Sequence, residues 1–425
     1  MDERRLTVVI GSDAVADLVS DGHRRLELRY RDPWRAAPGS TPLSVSMPAG
    51  PAPYGHATVE PYLWGLFPDD ERVVERWARE AGCSTTDVFG LLEARGADVA
   101  GAARYLGPGD PIDAADGGHE PLDEAEVGEV LRRVVHERPA WTTSSEPGRW
   151  SLAGAQAKVA LARDPTSGQW SIPAGATPTT HILKPAFAGF DDIDVDEHLC
   201  LATARLVELP AARTTVETFG GQRTLVVERY DRRLGPDGAF VRIHQEDLCQ
   251  ALGVHPSQKY ESDGGPTSRT MARLLWSAVG DAPLAQVEAL CRSIAYDWLV
   301  LAPDTHAKNH SLLLSGRQVR LAPMYDVASI LPYDAHPGKV KLAQRVGGEY
   351  RVTVIEGRHW ERLARDTRVE PGWMRDTVLD LAERLPDAMA DAIARSALTD
   401  DEIAFAQRLH EALVEWTGHC RRQVG

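Results

Sequence analysis

Residues Tyr296–Pro332 read YDWLVLAPDTHAKNHSLLLSGRQVRLAPMYDVASILP, and the polar residues in this stretch decide how the rest of the chain is read. Asp304, Lys308, Asn309 and Asp326 stand between apolar runs that should be buried, and polar residues so placed usually serve chemistry. Ser311 to Leu314 and Val319 to Ala322 are short apolar runs around Ser315-Gly316, the pattern of a β-hairpin. A tight hairpin returns the chain to where it began, so Asp326, 22 positions beyond Asp304, is carried back towards it.

Asp304 to Asn309 spells D-x-x-x-x-N. This is the second half of a protein-kinase catalytic loop, in which the Asp accepts a substrate hydroxyl proton and the Asn holds a metal. Asp326 then falls where a kinase places its other Mg2+ ligand. Such a hard cation takes a few oxygen donors plus phosphate oxygens, which Asp, Asn and Asp supply.

The 425 residues can hold two or three domains, and 43% hydrophobic with 26% charged residues is ordinary globular composition. A formal charge of −15 argues against an extended phosphate-tracking surface and favours a basic partner. Cys83, Cys200, Cys249, Cys291 and Cys420 are scattered without a C-x-x-C, which fits buried thiols in a reducing compartment rather than zinc or disulfides. The apolar run Leu6 to Ile10 is too short for a signal-peptide core. The best membrane candidate, Ile294 to Ala302, is interrupted by Asp297 and falls far short of the roughly 20 residues required. A cytoplasmic protein without membrane contact is expected.

Along the chain, alternation at Leu6, Val8 and Ile10 and at Leu26, Leu28 and Tyr30 predicts short strands, with another at Pro42 to Met47. A loop over 48–55, one helix over Tyr62 to Ala78 and a short helix over Asp87 to Ala94, capped by Asp87, follow. Gly96 to Tyr105 closes this first domain and Gly107 to Gly118 reads as a linker. An amphipathic helix spans Leu122 to Glu137. Next comes Ser151-Leu-Ala-Gly-Ala-Gln-Ala-Lys158 before the strand Val159 to Ala162, a small-residue loop whose backbone N–H groups can approach phosphates.

His181 to Lys184 is a strand ending in a lone Lys, the setting of the kinase lysine that binds α/β phosphates. Glu197, 13 positions on, starts a helix running to about Leu206, capped by Asp194 or Asp196, and would pair with Lys184 as in kinases. Thr224 to Val227 runs into Glu228-Arg-Tyr-Asp-Arg232, a candidate hinge at the adenine. A helix is expected from His244, helical periodicity up to Tyr296, and amphipathic helices over Met374 to Leu385 and Asp401 to Trp416. The expected domains are 1–110, a linker and helix over 111–149, a nucleotide-loop part over 150–245, and a helical lobe over 246–425.

The blocks PLSVSMP, GADVAGAARY, SLAGAQAK, HILKP, VVERYDR, HQEDLCQALG, DTHAKNHSLLL, LAPMYDVAS and KVKLA stand in family order across nearly the whole chain, which resembles the HipA family of serine/threonine kinases. These are toxins of bacterial type II toxin–antitoxin systems. The resemblance implies an α+β, two-lobed protein-kinase-like fold with an N-terminal β-containing subdomain and a helical C-terminal lobe. It makes Asp304 the catalytic base and Asn309 and Asp326 ligands of Mg2+. ATP would be met by Ala153, Gly154, Ala155, Gln156, Lys158, Lys184, Glu228, Tyr230, His306, Lys308 and Tyr325. Ser151 takes the place of the autophosphorylated serine, whose modification adds about −1.5 to −2 charges and switches the kinase off.

The implied partners are a HipB-like helix-turn-helix antitoxin, DNA reached only through that antitoxin, and a protein substrate such as an aminoacyl-tRNA synthetase. Two departures stand out: Thr305 replaces the family's usual Gly, awkward if the position needs positive φ, and Asp196 stands where Asn is usual before Glu197. A small-molecule phosphotransferase of the aminoglycoside-kinase kind, or a nucleotide-binding corepressor without catalysis, are the alternatives.

Overall fold

The computed structural model describes residues 3–112, 118–136, 151–154, 156–174, 176–186, 192–236, 238–333 and 336–425. The chain forms two compact units. One comprises Met1–Pro185, Glu217–Ser257 and Leu312–Gln318; the other Ala186–Val216, Gln258–Ser311 and Val319–Gly425.

In the first unit, alternating apolar residues produce the expected strands β1 (Arg4–Ile10), β2 (Asp13–Ser20) and β3 (Leu26–Tyr30), joined by β4 (Tyr54–Gly55) and β5 (Ala103–Leu106) in the order β4-β3-β2-β1-β5. Leu6 faces Leu18 and Val8 faces Ala16 across β1 and β2, and all four are fully buried. Pro42 to Met47, expected as a strand, closes only a bridge between Ser44 and Met47. Side chains take its backbone donors instead: the Leu43 N–H donates to Tyr30 Oη at 2.7 Å and the Val45 N–H to the buried Glu246 carboxyl at 2.8 Å.

The single helix expected over Tyr62 to Ala78 is two, His56–Trp64 and Glu71–Glu80. Asp70 accepts the Arg72 N–H and so starts the second afresh. Val88–Arg95 is the expected short helix, with Asp87 capping Gly90 and also gripping the Arg4 guanidinium at 2.8 Å.

A second sheet of this unit contains β6 (His119–Leu122), β7 (Val159–Arg163), β8 (Trp170–Pro173), β9 (His181–Pro185) and β11 (Gln222–Glu228), with β10 (Thr214–Phe219) at its edge, in the order β10-β11-β9-β7-β8-β6. The helix Glu124–His136 contributes Val127 and Leu131 to the core that also holds Val159, Leu161 and Leu183. The helix expected at His244 begins only at Leu248. His244–Asp247 is extended, because Asp247 caps the helix reciprocally with Gln250 and a cap residue lies outside the helix it starts.

Five ionic side chains, buried except for the half-buried Arg242, join two distant parts of this unit. Arg232 donates to Asp98 at 2.9 Å and to Asp231 at 2.8 Å, Arg229 donates to Asp231 at 2.8 Å, and Arg242 donates to Asp98 at 3.0 Å. Burial alone would push the Asp98 carboxyl up, but Arg232, Arg242 and Arg229 together hold it well below the usual carboxylate range.

In the second unit the helices Ile193–Leu206, Ser268–Ala278, Pro283–Leu299, Gly357–Thr367, Pro371–Arg395 and Asp400–Val424 enclose an aromatic centre. Trp298 lies 5.3 Å from Trp360 and 6.3 Å from Trp416 between ring centroids, and Trp416 Nε1 donates to the Trp298 carbonyl at 3.0 Å. The last two helices are longer than the periodicity predicts, the first of them carrying Pro386 inside it and the second opened by a Thr399–Glu402 capping box. Among the described residues no helix is long and apolar enough to cross a membrane.

Asp98→Ala leaves the buried Arg229 and Arg232 and the half-buried Arg242 short of a counter-charge, so a loss of about 3–5 kcal/mol is expected, read as a lowered urea midpoint. Because the folded-state pKa of Asp98 is depressed, its contribution is present above the unfolded carboxylate value near ~4 and is lost as pH falls through the lower folded value.

Candidate active site

The first unit gathers the small-residue loop against its own N-terminal part. Ser151 is fully buried; its N–H donates to the Asp98 carbonyl at 2.9 Å and its hydroxyl to the Leu66 carbonyl at 2.7 Å. Gly154 bridges Pro68 and accepts the Asp69 N–H at 3.1 Å. Its φ of +109° is a backbone conformation that favours glycine, and a Cβ there would have to displace the Lys158 ammonium, 2.5 Å away. Lys158, buried, donates to the Ala153 carbonyl at 2.8 Å and so closes the loop on itself. Gln156 is half-buried; Ala155 lies outside the described residues.

Lys184 is buried on β9 opposite Leu225, while Glu228 lies opposite His181. Side chains three positions apart on a strand point to opposite faces, so the Glu228 and Lys184 side chains occupy opposite faces of the sheet. Glu228 and His181 instead line a cavity of about 500 Å3 with the turn Asp164–Gly168 and Phe240. A nucleotide on the lysine face would therefore meet only the backbone of Glu228. Tyr230 beyond it is half-buried.

The second unit gathers the catalytic-loop candidates closely. The helix Pro283–Leu299 ends with Leu301 at φ +52°, where the Ala302 N–H returns to the Asp297 carbonyl at 2.8 Å and the chain turns towards Asp304. Asp304 is exposed, whereas Thr305, His306, Lys308, Asn309 and His310 after it are buried. A short turn, Ala307–Asn309, follows, and the Asn309 side-chain amide donates from Nδ2 to the Asp326 carbonyl at 3.2 Å. Tyr325 Oη donates to the Lys308 carbonyl at 2.6 Å and shares a 2.6 Å hydrogen bond with Ser311. The Ala322 N–H to Ser311 carbonyl bond of 2.8 Å closes the expected hairpin of Ser311–Ser315 and Gln318–Leu321.

The strain expected at Thr305 lies elsewhere. Thr305 is not left-handed, and its hydroxyl donates to the Ala302 carbonyl at 3.3 Å. Leu301 and Asp326, at φ +52° and +59°, carry it instead, each at a cost on the order of 1 kcal/mol or more. Non-glycine residues held this way flank the catalytic-loop candidates on both sides.

Asp196 is corrected as well. It sits inside the helix Ile193–Leu206, whose N-cap is Asp192, and its carboxyl accepts the Ser329 N–H at 2.9 Å and the Cys200 thiol at 3.3 Å. Burial pushes the Asp196 carboxyl up to about 8. A protonated acid is the nearest chemical match to the Asn that the family carries there, since both are neutral and both can donate. Glu197 beside it is buried. Burial likewise pushes the Asp297 carboxyl well up and drives His310 down to about 4.

Asn309 Nδ2 is engaged with the Asp326 backbone carbonyl, which brings the two residues together and leaves the Asn309 amide oxygen as an acceptor; an amide oxygen and a carboxylate are the kinds of donor that would suit Mg2+ with phosphate oxygens. Among the described residues no group of three or more His, Cys, Asp or Glu forms a metal cage. Sequence reasoning passed over Tyr260, whose hydroxyl donates to Asp304 Oδ1 at 2.6 Å. Its signal was the turn-forming run Ser262-Asp-Gly-Gly265 directly behind it.

The HipA-like C-terminal domain model matches residues 150–391 and the HipA N-terminal domain model matches residues 6–106. The chain belongs to the HipA family. It is 35% identical over 402 residues to "Putative kinase Y4mE" of Sinorhizobium fredii, covering 93% of this chain and 92% of that one. It is 24% identical to the serine/threonine-protein kinase toxin HipA of Shewanella oneidensis, over 97% of this chain and 92% of that one. A solved structure of HipA from Shewanella oneidensis MR-1, in complex with HipB and operator DNA, superposes with a TM-score of 0.84 at 22% identity, covering 98% and 97% of the two chains. That likeness establishes the α+β HipA fold expected from the sequence.

A test of the neutral Asp196 follows from linkage. Its folded pKa, about 8, exceeds the unfolded value of roughly 4, so from pH ~4 to 8 the unfolded chain has released a proton that the folded chain keeps, and stability falls as pH rises. Asp196→Asn removes this slope, at most about 1.4 kcal/mol per pH unit. Compared with wild type, the variant is expected to gain in urea midpoint between pH 5 and pH 8; parallel midpoints at both pH values would contradict a neutral Asp196.

Proposed function

We propose that this HipA-family chain is a Mg2+/ATP-dependent serine/threonine-protein kinase acting as the toxin of a toxin–antitoxin pair. The observation that carries the reading is the tie between Asn309 and the strained Asp326, with the exposed Asp304 at the head of the same loop. Asp304 takes the proton of an acceptor Ser or Thr hydroxyl as its oxygen bonds to the γ-phosphorus and ADP leaves. The Asn309 amide oxygen and the Asp326 carboxylate are the proposed Mg2+ ligands. Bound Mg2+ neutralises charge on the phosphates during transfer. Lys184, Lys158 and the backbone of 153–156 are assigned to the ATP phosphates, the backbone of Glu228 and Tyr230 to adenine, and His306, Lys308 and Tyr325 to the nucleotide's surroundings.

Ser151 is the proposed site of self-phosphorylation. Its hydroxyl is buried against Leu66, so the segment must leave that seat to be modified, and a phosphate cannot be accommodated on its return. Kinase names among the relatives, and the complex of the Shewanella HipA with HipB and DNA, support a helix-turn-helix antitoxin as partner. A translation component such as an aminoacyl-tRNA synthetase is the proposed target, with cytoplasmic action.

Intact mass with peptide mapping after incubation with Mg·ATP tests this reading. Wild type is expected to gain one phosphate at Ser151, and Asp304→Ala to slow that gain by roughly 10²- to 10⁴-fold. If protein shown to start unphosphorylated and to bind ATP gains no phosphate on Ser151, self-phosphorylation is excluded and weight moves to small-molecule phosphotransfer or a non-catalytic role.

A further inference from the structure

Tyr260 is tied to Asp304 by the shortest kind of hydrogen bond a carboxylate accepts from a hydroxyl, Oη to Oδ1 at 2.6 Å. Its position is fixed from several sides within the second unit. The Lys259 carbonyl accepts the N–H of Ala307 in the catalytic loop at 3.3 Å. The Tyr260 ring meets the His306 ring edge to face, 5.0 Å between centroids and 84° between planes. Its own carbonyl accepts the N–H groups of Asp263 and Gly265 at 3.1 and 3.0 Å. Gly265 closes this turn so tightly that a Cβ there would lie 2.0 Å from the Gln258 carbonyl oxygen. The next residue, Glu261, accepts the Arg345 N–H at 2.8 Å and anchors the turn to the strand Lys341–Val346. A turn constrained in this way presents its hydroxyl at one place, and that place is the exposed carboxylate of Asp304.

We infer that Tyr260 is a positioning residue for the phosphotransfer: its hydroxyl locks the rotation of the Asp304 carboxylate so that the second oxygen is presented to the acceptor hydroxyl. This rests on the kinase reading above. A carboxylate offers about four lone-pair directions, so one phenol donor orients it without filling it. The 2.6 Å bond from Tyr260 is one of the contacts that set the Asp304 rotamer, and a base that must meet a hydroxyl within hydrogen-bond reach loses rate when a contact that orients it is removed. The acceptor proton still goes to Asp304; Tyr260 keeps its own.

The test is the self-phosphorylation rate of the full chain against ATP concentration for wild type, Tyr260→Phe, Asp304→Asn and the double variant. Phenylalanine keeps the ring against His306 and removes only the hydroxyl. A fall of about 10- to 100-fold in maximal rate is expected, with the half-saturating ATP concentration unchanged and no further fall when Tyr260→Phe is added to Asp304→Asn. A maximal rate within about twofold of wild type would overturn the inference, as would an equal loss in both backgrounds, which would mark a general structural effect. A faster variant would also overturn it, because the hydroxyl would then be obstructing the acceptor's place. An inactive wild type would instead remove the kinase reading itself, whereas an active wild type matched by Tyr260→Phe removes only the role of Tyr260.

Discussion

Buried charge must be matched by buried charge, and in the first unit that requirement falls on Asp98 and Asp231. They hold Arg229, Arg232 and Arg242 in a network that runs from 98–101 to 229–242. The Arg229 and Arg232 guanidinium groups also donate to the Val99 and Gly101 carbonyls, so backbone and side chain are fixed together. Removing either carboxylate would leave cations in a medium that solvates them poorly. Asp98 serves twice, since its backbone carbonyl also receives the Ser151 N–H. The residue that completes the ionic network thereby sets where the glycine loop starts.

The second unit meets a different constraint, the need to hold polar residues in unfavourable backbone geometry. Leu301 and Asp326 are left-handed without being glycine, and their strain is tolerated because the surrounding core leaves no alternative. Trp298, three residues before Leu301, is clamped between Trp360 and Trp416 with its indole N–H on the Val352 carbonyl. Rigid support behind the loop and the exposed Asp304 carboxylate in front of it are the conditions under which the proposed base would be held ready before substrate arrives.

How much of this was legible in the sequence depended on whether the signal was local. The β1 to β3 strands, the Asp87 cap, the hairpin after His310 and the gathering of Asn309 with Asp326 follow from period, turn chemistry and spacing, all carried within a few residues. Pro42 to Met47 alternates like a strand, yet its donors are taken by Tyr30 and by Glu246 some two hundred positions away, which no window around the segment reveals. Asp196 reads as a helix cap because acids cluster at helix starts; its partner, Ser329, comes only with the fold. The turn behind Tyr260 was marked by its own residues, but the carboxylate it bonds, 44 positions away, came only with the fold. Thr305 misled in the other direction, since replacement of a glycine implies strain only where the backbone is left-handed.

The seat of Ser151 has a temporal consequence. With its hydroxyl and its N–H both committed to carbonyls and no exposed surface, the serine would be open to the proposed modification only in the fraction of molecules whose segment has opened. Each 1.4 kcal/mol of opening free energy thins that fraction about tenfold, so the rate of the proposed modification would be the chemical rate multiplied by a population. Anything that binds the seated form lengthens the wait, and anything that loosens the contact with Leu66 shortens it. Under the proposed self-phosphorylation, packing around Ser151 would set the length of a delay.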